Sequence, residues 1–444
     1  MSLFKLGKAK LPHCKGTAAM PAVAMEPPKT VTIPMSQHIG APATPVCAVG
    51  DTVYVGTLIG EASGFVSANV HSSVSGVVKK IDLQLMANGK KETVVVIESD
   101  GLMTPSPDLV PPVIESFADL SAAARAAGLV GLGGAGFPAS VKLDPKKVDA
   151  LDTLVLNGAE CEPYITSDTR TMLDRAADIR KGIELILTYS KIKNVYIGIE
   201  KNKAECIAHL GTVLADMPAV KVASLPDRYP QGAEKILIYN TTGRVVPEGG
   251  LPSDVGVLVM NVTTIAALAE YVETGMPLVK KCVTVDGKAV KEPKNLIVPV
   301  GTSVADVIEA AGGLTDDAGK VILGGPMMGV AIYTLDYPVM KNCNAVVVFN
   351  SKEAKKQYEY PCIHCGRCVA ICPMGLNPTA YAKALNVSDA GDRIQRYTDA
   401  KLNLCIECGS CSYVCPSNRP LVENNRLAKA EMRERALALK AKKD

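Results

Sequence analysis

Short apolar runs separated by turns fill the first quarter of the chain. From residue 29 to about residue 100, β-branched runs such as TVYVG and ETVVVIES alternate with Gly and Asp turns, a pattern typical of β-strands. This predicts a small all-β unit at residues 29–100. The Pro-, Ala- and Lys-containing stretch before it has no sustained period. Residues 1–28 are therefore predicted to form an extended leader that lies over another domain.

A helical period takes over after the all-β unit. The stretch SFADLSAAARAA ends at Gly128, a residue type suited to the left-handed cap of a helix. The apolar runs TLVLNGAE, NVYIGIE and VGVLVMNVTT then alternate with helical stretches near residues 171–189 and 203–216. Strands that alternate with helices predict an α/β domain over residues 101–276.

Two smaller units and a terminal helix follow. Residues 277–351 contain CVTVDGKAV, a helical stretch, VILGGPMMG and AVVVF, which predicts an α+β unit similar to the soluble-ligand-binding β-grasp domain. Residues 352–421 hold two cysteine runs joined by a linker with helical apolar periodicity around Tyr381. Residues 422–444 form a charged amphipathic helix, which is either a solvated face or a docking element for a partner or an anionic membrane. The expected fold class is a multi-domain α/β and α+β protein.

The all-β unit is similar to a barrel-sandwich hybrid. Its sequences VGDTVYVGTLIGEA and VHSSVSGVVKKID look like the halves of the biotinyl and lipoyl carrier fold. A carrier needs a modifiable Lys at its hairpin tip, whereas residues 64–68 at the tip contain none. We therefore expect the fold without the carrier function. His38 and His71 lie in loops of this unit, and hydrogen-bonded structural roles are favoured over metal ligation.

Cysteine spacing near the C-terminus is the strongest chemical signal. The formula C-x2-C-x2-C-x3-C-P occurs twice, and in two-cluster ferredoxins the fourth Cys of such a run binds the other [4Fe-4S] cluster. Structural zinc uses paired CxxC knuckles and disulfides need an oxidising compartment, so both are less favoured. Residues 352–421 are thus expected to be a mainly helical, two-[4Fe-4S] ferredoxin-like domain. The predicted ligand sets are Cys362, Cys365, Cys368 and Cys415 for one cluster, and Cys405, Cys408, Cys411 and Cys372 for the other.

Composition excludes several classes of protein. The 444 residues carry a net charge of +3, 4% aromatic residues and no Trp, unlike the basic, stacking surfaces of nucleic-acid binders. No apolar run reaches the roughly 18 residues that span a bilayer. The N-terminus lacks the apolar segment of a signal peptide. A protein of the reducing cytoplasm is therefore expected, with the other six cysteines as small core residues.

A glycine-rich loop is the second chemical signal. Gly131, Gly133 and Gly136 spell G-x-G-x-x-G. A Rossmann loop follows a strand and opens a helix, whereas this one follows a helix and runs into Phe137 and Pro138. Closely spaced backbone N–H groups without side chains instead suit a phosphate or the edge of a flavin.

The order of these motifs resembles two related families. GLGGAGFPASVK, NGAECEP at residues 157–163 and MNVTT at residues 260–264 are similar to the flavin-binding subunit of respiratory complex I. The whole order, from SQHIGAP and the all-β unit to GGPMMG and the twin cysteine runs, more closely resembles the family of the C subunit of the Rnf complex. That complex is a membrane-bound, ion-translocating ferredoxin:NAD oxidoreductase. The resemblance implies that residues 101–276 bind FMN and NADH.

The resemblance also implies particular cofactor contacts. The glycine loop would lie against FMN with Lys142 at the phosphate, while Asn157, Asn261 and Thr264 would hydrogen-bond the isoalloxazine or the phosphate. Phe137 would stack on the nicotinamide or adenine, Glu162 would bind a ribose hydroxyl and Tyr229 would lie near the nucleotide. No acid or base catalyst is implied, because hydride transfer requires none. The cofactor-binding residues expected are Gly133, Gly134, Ala135, Gly136, Phe137, Lys142, Asn157, Glu160, Glu162, Tyr229, Asn261 and Thr264.

The chain departs from these families at three positions. Leu132 stands where complex I has an Arg between the first glycines, and Ala159 stands where it has an acidic residue before the Glu-Pro pair. Ala139 replaces a Thr that both families commonly show. Polar contacts to the flavin from these three side chains are therefore not expected.

Cofactors of two kinds in one chain imply electron transfer. NADH exchanges a hydride, a [4Fe-4S] cluster exchanges one electron, and FMN handles both. The resemblance implies a peripheral subunit on the cytoplasmic face of the cell membrane, which passes electrons between NAD(H) and other Rnf subunits. Ferredoxin would be an indirect partner, and other chains would translocate Na+ or H+. The alternatives are a free-standing reductase similar to cobalamin reductase, and a cluster scaffold that binds no nucleotide.

Overall fold

A computed structural model describes residues 9–87 and 89–440 of the chain. Four units follow one another in this part of the sequence, and each has an apolar core of its own. Parallel, antiparallel and helical units all occur. The mixed α/β and α+β class predicted from the sequence pattern is confirmed.

The leader lies across two of the units. It forms one short strand, β1 (Ala22–Ala24), which pairs in parallel with residues 295–297 of the third unit. Ala9 forms an isolated bridge with Tyr229 of the second unit. Residues 1–8 of the predicted leader lie outside the described residues.

The first unit is a sandwich of two antiparallel sheets, as predicted. Its strands are β2 (Thr30–Pro34), β3 (Thr44–Pro45), β4 (Thr52–Val53), β5 (Leu58–Glu61), β6 (Val70–His71), β7 (Gly76–Leu85) and β8 (Lys91–Ser99). One sheet has the order β2-β8-β7-β4 and the other β3-β5-β6. Alternate residues such as Val31, Ile33 and Ile97 face the core between them. At the hairpin tip, Phe65 is 68% exposed where a carrier protein would need its Lys.

The two histidines of this unit have different surroundings. The His38 Nε2 accepts a hydrogen bond from the backbone N–H of Ala68 at 3.0 Å, which is the structural role predicted. His71 is buried, and its Nδ1 has no hydrogen-bond partner among the described residues. The hydrogen-bonded role predicted for His71 is thus not observed at its Nδ1. Burial lowers the pKa of His71 to about 3.

A parallel sheet flanked by helices forms the second unit. Its strands are β9 (Thr153–Asn157), β10 (Asn194–Glu200), β11 (Val220–Leu225) and β12 (Val257–Asn261), in the order β11-β10-β9-β12. The helices are α1 (Phe117–Ala126), α2 (Ala139–Lys142), α3 (Ser167–Asp174), α4 (Ala176–Tyr189), α5 (Ala204–Val213), α6 (Glu234–Thr242) and α7 (Val262–Thr274). Residues of β9 are buried on both faces, as expected for a parallel sheet covered by helices.

One predicted helix is in fact two. The helical stretch near residues 171–189 is divided between α3 and α4, because Arg175 leaves the helical region with φ of −130°. The Arg175 guanidinium then binds Asp178 and Glu270, each at 2.8 Å. The break turns α3 so that its first turn faces the carboxyl ends of β9 and β12, where Asp168 meets Asn261.

The third unit is a six-stranded mixed sheet with one longer helix. Its elements are β13 (Lys280–Asp286), β14 (Lys294–Pro299), α8 (Val304–Ala310), β15 (Ala318–Leu323), β16 (Val330–Ala331), β17 (Ala345–Asn350) and α9 (Ser351–Ala354). The order is β1-β14-β13-β17-β15-β16, so the leader supplies an edge strand. The segment between β15 and β16 carries the GGPMMG sequence.

The fourth unit is mainly helical. Its helices are α10 (Arg367–Ala370), α11 (Pro378–Ala384), α12 (Ala390–Asp399), α13 (Ser410–Tyr413) and α14 (Leu421–Lys440). The core contains Tyr381 and Tyr397, both fully buried, so the linker between the cysteine runs is helical as predicted. The start of α14 packs on this core through Ala428, whereas residues 433–439 are exposed. Over the described residues, no helix has the length and apolar character needed to cross a membrane.

Candidate functional site

The glycine loop, residues 131–136, connects α1 to α2. The backbone N–H of Gly131 donates to the carbonyl of Phe137 at 2.8 Å, and that of Gly136 donates to the carbonyl of Gly131 at 3.1 Å. Gly134 and Gly136 have φ of 118° and 64°, which residues with a Cβ rarely adopt. The loop thus follows a helix, as the sequence context predicted, and the two hydrogen bonds close it on itself.

Contacts from outside the loop fix its position. The Leu132 N–H donates to the Thr264 Oγ1 at 2.9 Å, and the Leu132 carbonyl accepts from the buried Lys281 Nζ at 3.0 Å. The Asn342 Nδ2 donates to the Gly134 carbonyl at 2.9 Å. Sequence reasoning found Thr264 but missed Lys281 and Asn342, because both come from the third unit. The tip of the loop is left exposed between these anchors.

The two predicted asparagines lie side by side at the carboxyl edge of the parallel sheet. Asn157 ends β9 and Asn261 ends β12, and the two residues pair in register. The Asn261 Oδ1 caps α7, and its Nδ2 donates to Asp168 at 2.8 Å. A Cβ on Gly133 would come within 3.1 Å of the Asn261 amide. This edge is where open α/β sheets bind their ligands.

Lys142 and Phe137 flank the loop on its α2 side. The Lys142 Nζ donates to the Glu234 Oε1 at 2.9 Å and to the Val259 carbonyl at 3.1 Å. Phe137 is half-buried. The predicted contact of Lys142 with a phosphate stays a prediction, and it requires the ammonium to turn away from Glu234.

Glu160 has its carboxylate at the start of α3. It accepts hydrogen bonds from the Asp168 N–H at 2.6 Å and from the Thr169 hydroxyl at 2.6 Å. A carboxylate at a helix N-terminus is stabilised by the unpaired N–H groups and by the helix dipole. Burial nevertheless raises the pKa of Glu160, with the Lys15 ammonium opposing the rise. Glu160 therefore holds α3 against the loop that follows β9.

Glu162 points from the same loop toward the third unit. Its carboxylate accepts from the backbone N–H of Met327 at 3.0 Å and from that of Met328 at 2.8 Å. The Tyr229 hydroxyl lies 3.5 Å away. Burial raises the pKa of Glu162 to about 6. The ribose contact predicted for this carboxylate stays a prediction, and in the structure its oxygens bind the GGPMMG segment.

Two lysines that sequence reasoning missed tie down this loop. The Lys15 Nζ, from the leader, donates to the carbonyls of Glu160 at 2.9 Å, of Glu162 at 2.7 Å and of Ile165. The Lys203 Nζ donates to the Ala159 carbonyl at 2.7 Å. Burial lowers the pKa of Lys15 to about 8. The loop needs such ties, because Glu160 has φ of 46° without being glycine.

The eight cysteines of the two runs surround two separate cavities. The inner cysteine cavity is lined by Cys372, Cys405, Cys408 and Cys411 and has an empty volume of about 370 Å³. The outer cysteine cavity is lined by Cys362, Cys365, Cys368 and Cys415 and has an empty volume of about 580 Å³. Each cavity draws three cysteines from one run and the fourth from the other, the grouping expected from the spacing.

Both runs shape the backbone around their cavity in the same way. His364 and Glu407, each just before the second cysteine of its run, have φ of 55°. Gly366 and Gly409, just after that cysteine, have φ of 74° and 76°. Successive residues of opposite φ turn backbone N–H groups toward a common anion. The repeated geometry suits a sulfide-containing cluster held by thiolates.

The chemistry of the cysteines also fits a cluster. Burial, together with the neighbouring Cys408 and Cys405, raises the pKa of Cys411 to about 12. Four thiolates around one apolar cavity therefore require a compensating positive charge, which iron supplies. Among the described residues, no three His, Cys, Asp or Glu side chains are arranged for one metal ion. The cysteines instead surround two cavities, with four cysteines lining each.

A buried junction joins the glycine-loop unit to the inner cysteine cavity. The Tyr229 hydroxyl donates to the Cys408 carbonyl at 2.7 Å, and Tyr229 is only 2% exposed. Ala9, Leu11 and Met327 pack in the same small core. Tyr229 was predicted to lie near the nucleotide, and the structure places it where three units and the leader meet.

Known protein families match successive parts of the chain. The RnfC barrel-sandwich hybrid domain matches residues 4–102, and the Nuo51 FMN-binding domain matches residues 124–270. The SLBB domain matches residues 282–331, and the 4Fe-4S dicluster domain matches residues 361–419. The chain thus has an FMN-binding domain and a dicluster domain, as predicted, and all four fold predictions are confirmed.

Relatives match over most of the chain. It is 43% identical to the C subunit of the Na(+)-translocating ferredoxin:NAD(+) oxidoreductase complex of Acetobacterium woodii, over 85% of each chain. It is 42% identical to the proton-translocating counterpart of Clostridium ljungdahlii, over 82% of this chain and 80% of that one. A crystal structure of an air-oxidized NAD+-reducing [NiFe]-hydrogenase is similar in fold, with a TM-score of 0.50 and 18% identity over 70% of this chain and 60% of that one. On these identities and domain matches, the chain belongs to the family of the C subunits of the ion-translocating ferredoxin:NAD(+) oxidoreductase complexes, the Rnf complexes.

Proposed function

We propose that this chain is the NADH- and FMN-binding subunit of an Rnf complex and passes electrons between NAD(H) and two [4Fe-4S] clusters. The junction at Tyr229 supports this most directly. It joins the unit that carries the glycine loop to the inner cysteine cavity through one buried hydrogen bond. The names of the two relatives supply the substrates, ferredoxin and NAD(+).

In this proposal the residues of the chain position the cofactors and do not react. FMN, when bound, interconverts a hydride and single electrons. The exposed N–H groups of the glycine loop face it, and Lys142 leaves Glu234 to bind the phosphate as a point charge. The Asn157 Nδ2 donates to the Gly232 carbonyl at 2.9 Å, and together with the bonds of Asn261 and Thr264 described above this contact fixes the shape of the cradle. No side chain is assigned as an acid or a base.

The proposed order of the electron carriers follows from the two cavities. The inner cysteine cavity contacts the FMN-binding unit through Cys408. Both cavities are lined by residues of the fourth unit, but the hydrogen bond described between such a lining and the second unit is made at the inner cavity. We therefore place the cluster bound by Cys372, Cys405, Cys408 and Cys411 next to the flavin. The cluster bound by Cys362, Cys365, Cys368 and Cys415 is the one that exchanges electrons with partners.

We further place the chain on the cytoplasmic face of the cell membrane, docked on the other subunits of the complex. One named relative translocates sodium ions and the other protons. The relatives therefore leave the coupled ion of this chain open. In this arrangement the ion pathway belongs to other chains.

Anaerobic reduction of the purified chain by NADH tests the proposal. The chain is loaded with FMN and its clusters are reconstituted, and absorbance is followed after mixing. We expect the flavin to bleach first and the clusters to follow. A chain that retains no FMN, or a flavin that NADH does not bleach, would contradict the proposed activity.

Association with partners needs a separate test. The chain is tagged in its native host, and the membrane fraction is solubilised in mild detergent before a pull-down. Recovery of the membrane subunits of the complex supports the proposed location. Activity found only in the supernatant of salt-free lysates would instead favour the free-standing reductase.

A further inference from the structure

The outer cysteine cavity opens onto an exposed face of the fourth unit. Cys365 is itself exposed, and Ile363 beside it is 66% exposed. Tyr358 and Tyr360 are 71% and 53% exposed, and their rings pack edge-to-face with centroids 4.6 Å apart. Large apolar side chains in such a cluster are unusual on a free surface and mark interaction sites.

This apolar group is held rigidly beside the cavity. The Tyr360 N–H donates to the Ser417 carbonyl at 3.0 Å, and the Asn418 Nδ2 donates to the Tyr358 carbonyl at 3.1 Å. Ser417 directly follows the Cys-Pro pair of the second run. These two hydrogen bonds hold both tyrosines beside the outer cysteine cavity. Cys362, the first cysteine that lines this cavity, follows Tyr360 by two residues.

The charges of the segment that carries these apolar side chains are predominantly basic. Lys355, Lys356 and Arg367 are exposed, and Arg367 lines the cavity. The acidic residues of the segment are already neutralised, because Glu353 binds Lys288 at 2.7 Å and Glu359 binds Arg419 at 3.3 Å. A partner thus meets an excess of positive charge here.

One further carboxylate lies near this surface on α14. Glu423 is exposed, and its Oε2 lies 3.5 Å from the Ser412 hydroxyl. The next cation on the helix, Arg426, is directed at Glu407 at 3.5 Å. A single carboxylate does not cancel the three cations of this segment.

We infer that Tyr358, Tyr360, Ile363, Lys355, Lys356 and Arg367 form a docking face for an acidic iron–sulfur protein that exchanges single electrons with the outer cluster. The inference rests on the proposed function, which supplies the clusters. The apolar side chains give a short-lived contact of small area, and the basic rim steers an acidic partner to it. In the direction of NAD+ reduction, two reduced carriers each give one electron. One solvent proton is taken up, and one NADH and two oxidised carriers are formed.

Steady-state kinetics with two electron donors tests this face. The full chain, loaded with FMN and both clusters, reduces NAD+ with a reduced acidic two-[4Fe-4S] ferredoxin as one donor. The other donor is a reduced viologen with one methyl and one sulfonatopropyl substituent, a small mediator that has no net charge in its reduced form and needs no docking face. The variant is Lys355→Glu/Lys356→Glu, and Lys146→Glu/Lys147→Glu is the matched control, an exposed lysine pair of the second unit. Iron content and visible absorbance establish that each variant holds its clusters.

We expect the Lys355→Glu/Lys356→Glu variant to raise the KM for ferredoxin about tenfold at low ionic strength. Its salt dependence should flatten, because screening then has less attraction to remove. Rates with the neutral mediator should not change, and the Lys146→Glu/Lys147→Glu control should resemble the unmodified chain with both donors. Arg367→Glu should act in the same direction as the lysine pair.

Three outcomes would overturn the inference. An unchanged ferredoxin KM in the Lys355→Glu/Lys356→Glu variant would show that these basic residues do not attract ferredoxin. An equal rise in the control would show that the effect is not specific to this face. Loss of binding to vesicles of phosphatidylcholine and phosphatidylglycerol, with an unchanged ferredoxin KM, reassigns the face to lipid. If the unmodified chain fails to reduce NAD+ with the neutral mediator, the proposed function fails first.

Discussion

Glu162 is the residue at which three parts of the molecule meet. Its carboxylate binds the backbone of the GGPMMG segment, and Tyr229 beside it binds Cys408. The Met328 carbonyl in turn accepts from Arg426 of α14 at 2.9 Å. One partly buried carboxyl group thus binds the third unit directly and lies beside the two contacts, at Tyr229 and Met328, that reach the fourth unit.

We predict a pH-dependent stability difference between the unmodified chain and Glu162→Gln. Burial raises the pKa of Glu162 from 4.5 to about 6, so the folded state holds the proton more tightly than the unfolded state. The resulting stabilisation is fully present below pH 4.5 and is lost as the pH rises through about 6. Relative to the variant, the unmodified chain should gain about 1 kcal/mol between pH 7.5 and pH 5.5.

Thermal unfolding of both proteins at the two pH values measures this effect. Glu205→Gln, at an exposed position on α5, serves as the control. The midpoint of the unmodified chain minus that of Glu162→Gln should become more positive on acidification. The same difference for the Glu205→Gln control should not change. A difference that stays constant, or shrinks, contradicts the sign of this linkage.

The sequence predicted the cluster cysteines but not the lysines that bind backbone carbonyls, for one physical reason. The cluster spacing is local, so C-x2-C-x2-C carries its own geometry. Lys15 and Lys281 bind carbonyls of segments that are distant in sequence, and a lysine by itself predicts an exposed side chain. Their partners become visible only once the units have packed.

At the scale of elements, the glycine loop is shaped by what surrounds it. Its own sequence explains the positive φ at Gly134 and Gly136. Its placement depends on Thr264 at the start of α7 and on Lys281 and Asn342 from the third unit. The sequence pattern predicted the strand that carries Lys281, but it assigned Thr264 to a strand where the structure has the first turn of α7, and Asn342 lies in no helix or strand. The pattern also contains no information on which residues would meet at the loop.

Gly134→Ala should separate flavin binding from stability. No atom lies within 4 Å of a Cβ built at Gly134, so the cost comes from its φ of 118°, about 1–2 kcal/mol. The methyl group would occupy the exposed concavity proposed for FMN. Gly243→Ala is the matched control, because its φ is 74° and its Cβ also meets nothing within 4 Å.

Isothermal titration of the flavin-free chains with FMN, beside their thermal midpoints, checks this prediction. Both variants should lose some stability, and Gly134→Ala alone should lose FMN affinity, by about tenfold or more. Equal affinities of the two variants for FMN would show that FMN does not bind at the glycine loop.

The two cysteine runs depend on each other, because each run supplies the fourth cysteine of the cavity that the other run forms. Cys415 lies in the second run but lines the outer cysteine cavity, and Cys372 lies in the first run but lines the inner one. Cys415→Ser should therefore damage the cluster held by the first run. The iron content should fall from about eight to about four per chain.

Electron paramagnetic resonance of the reduced variants identifies which cluster is affected. Cys415→Ser and Cys372→Ser should lose different signals, and Cys47→Ser, outside both runs, should keep both. Loss of the same signal in Cys415→Ser and in Cys405→Ser would show that each run binds its own cluster without exchange.

At the scale of the whole molecule, the order of the units along the chain does not show which units are in contact. The order of the units could be predicted, because each has its own hydrophobic period. The leader could not be placed, yet it supplies β1 to the third unit, Lys15 to the loop after β9 and Ala9 to the junction at Tyr229. Contacts between units depend on a few residues each, and such contacts leave no periodic trace in a sequence.

The junction itself yields the last prediction, Tyr229→Phe. This change removes the hydrogen bond from the hydroxyl to the Cys408 carbonyl, which costs about 1 kcal/mol, and it loosens the contact between the FMN-binding unit and the inner cysteine cavity. In the proposed order of carriers, hydride transfer from NADH does not cross this contact, whereas transfer from flavin to cluster does. Stopped-flow mixing with NADH should therefore show an unchanged rate of flavin bleaching and slower bleaching of the clusters.

Tyr189→Phe is the matched control, because its hydroxyl donates to the Ile114 carbonyl at 2.8 Å within the same unit. If Tyr229→Phe slows flavin bleaching as well, or leaves cluster bleaching unchanged, electrons do not cross at this junction.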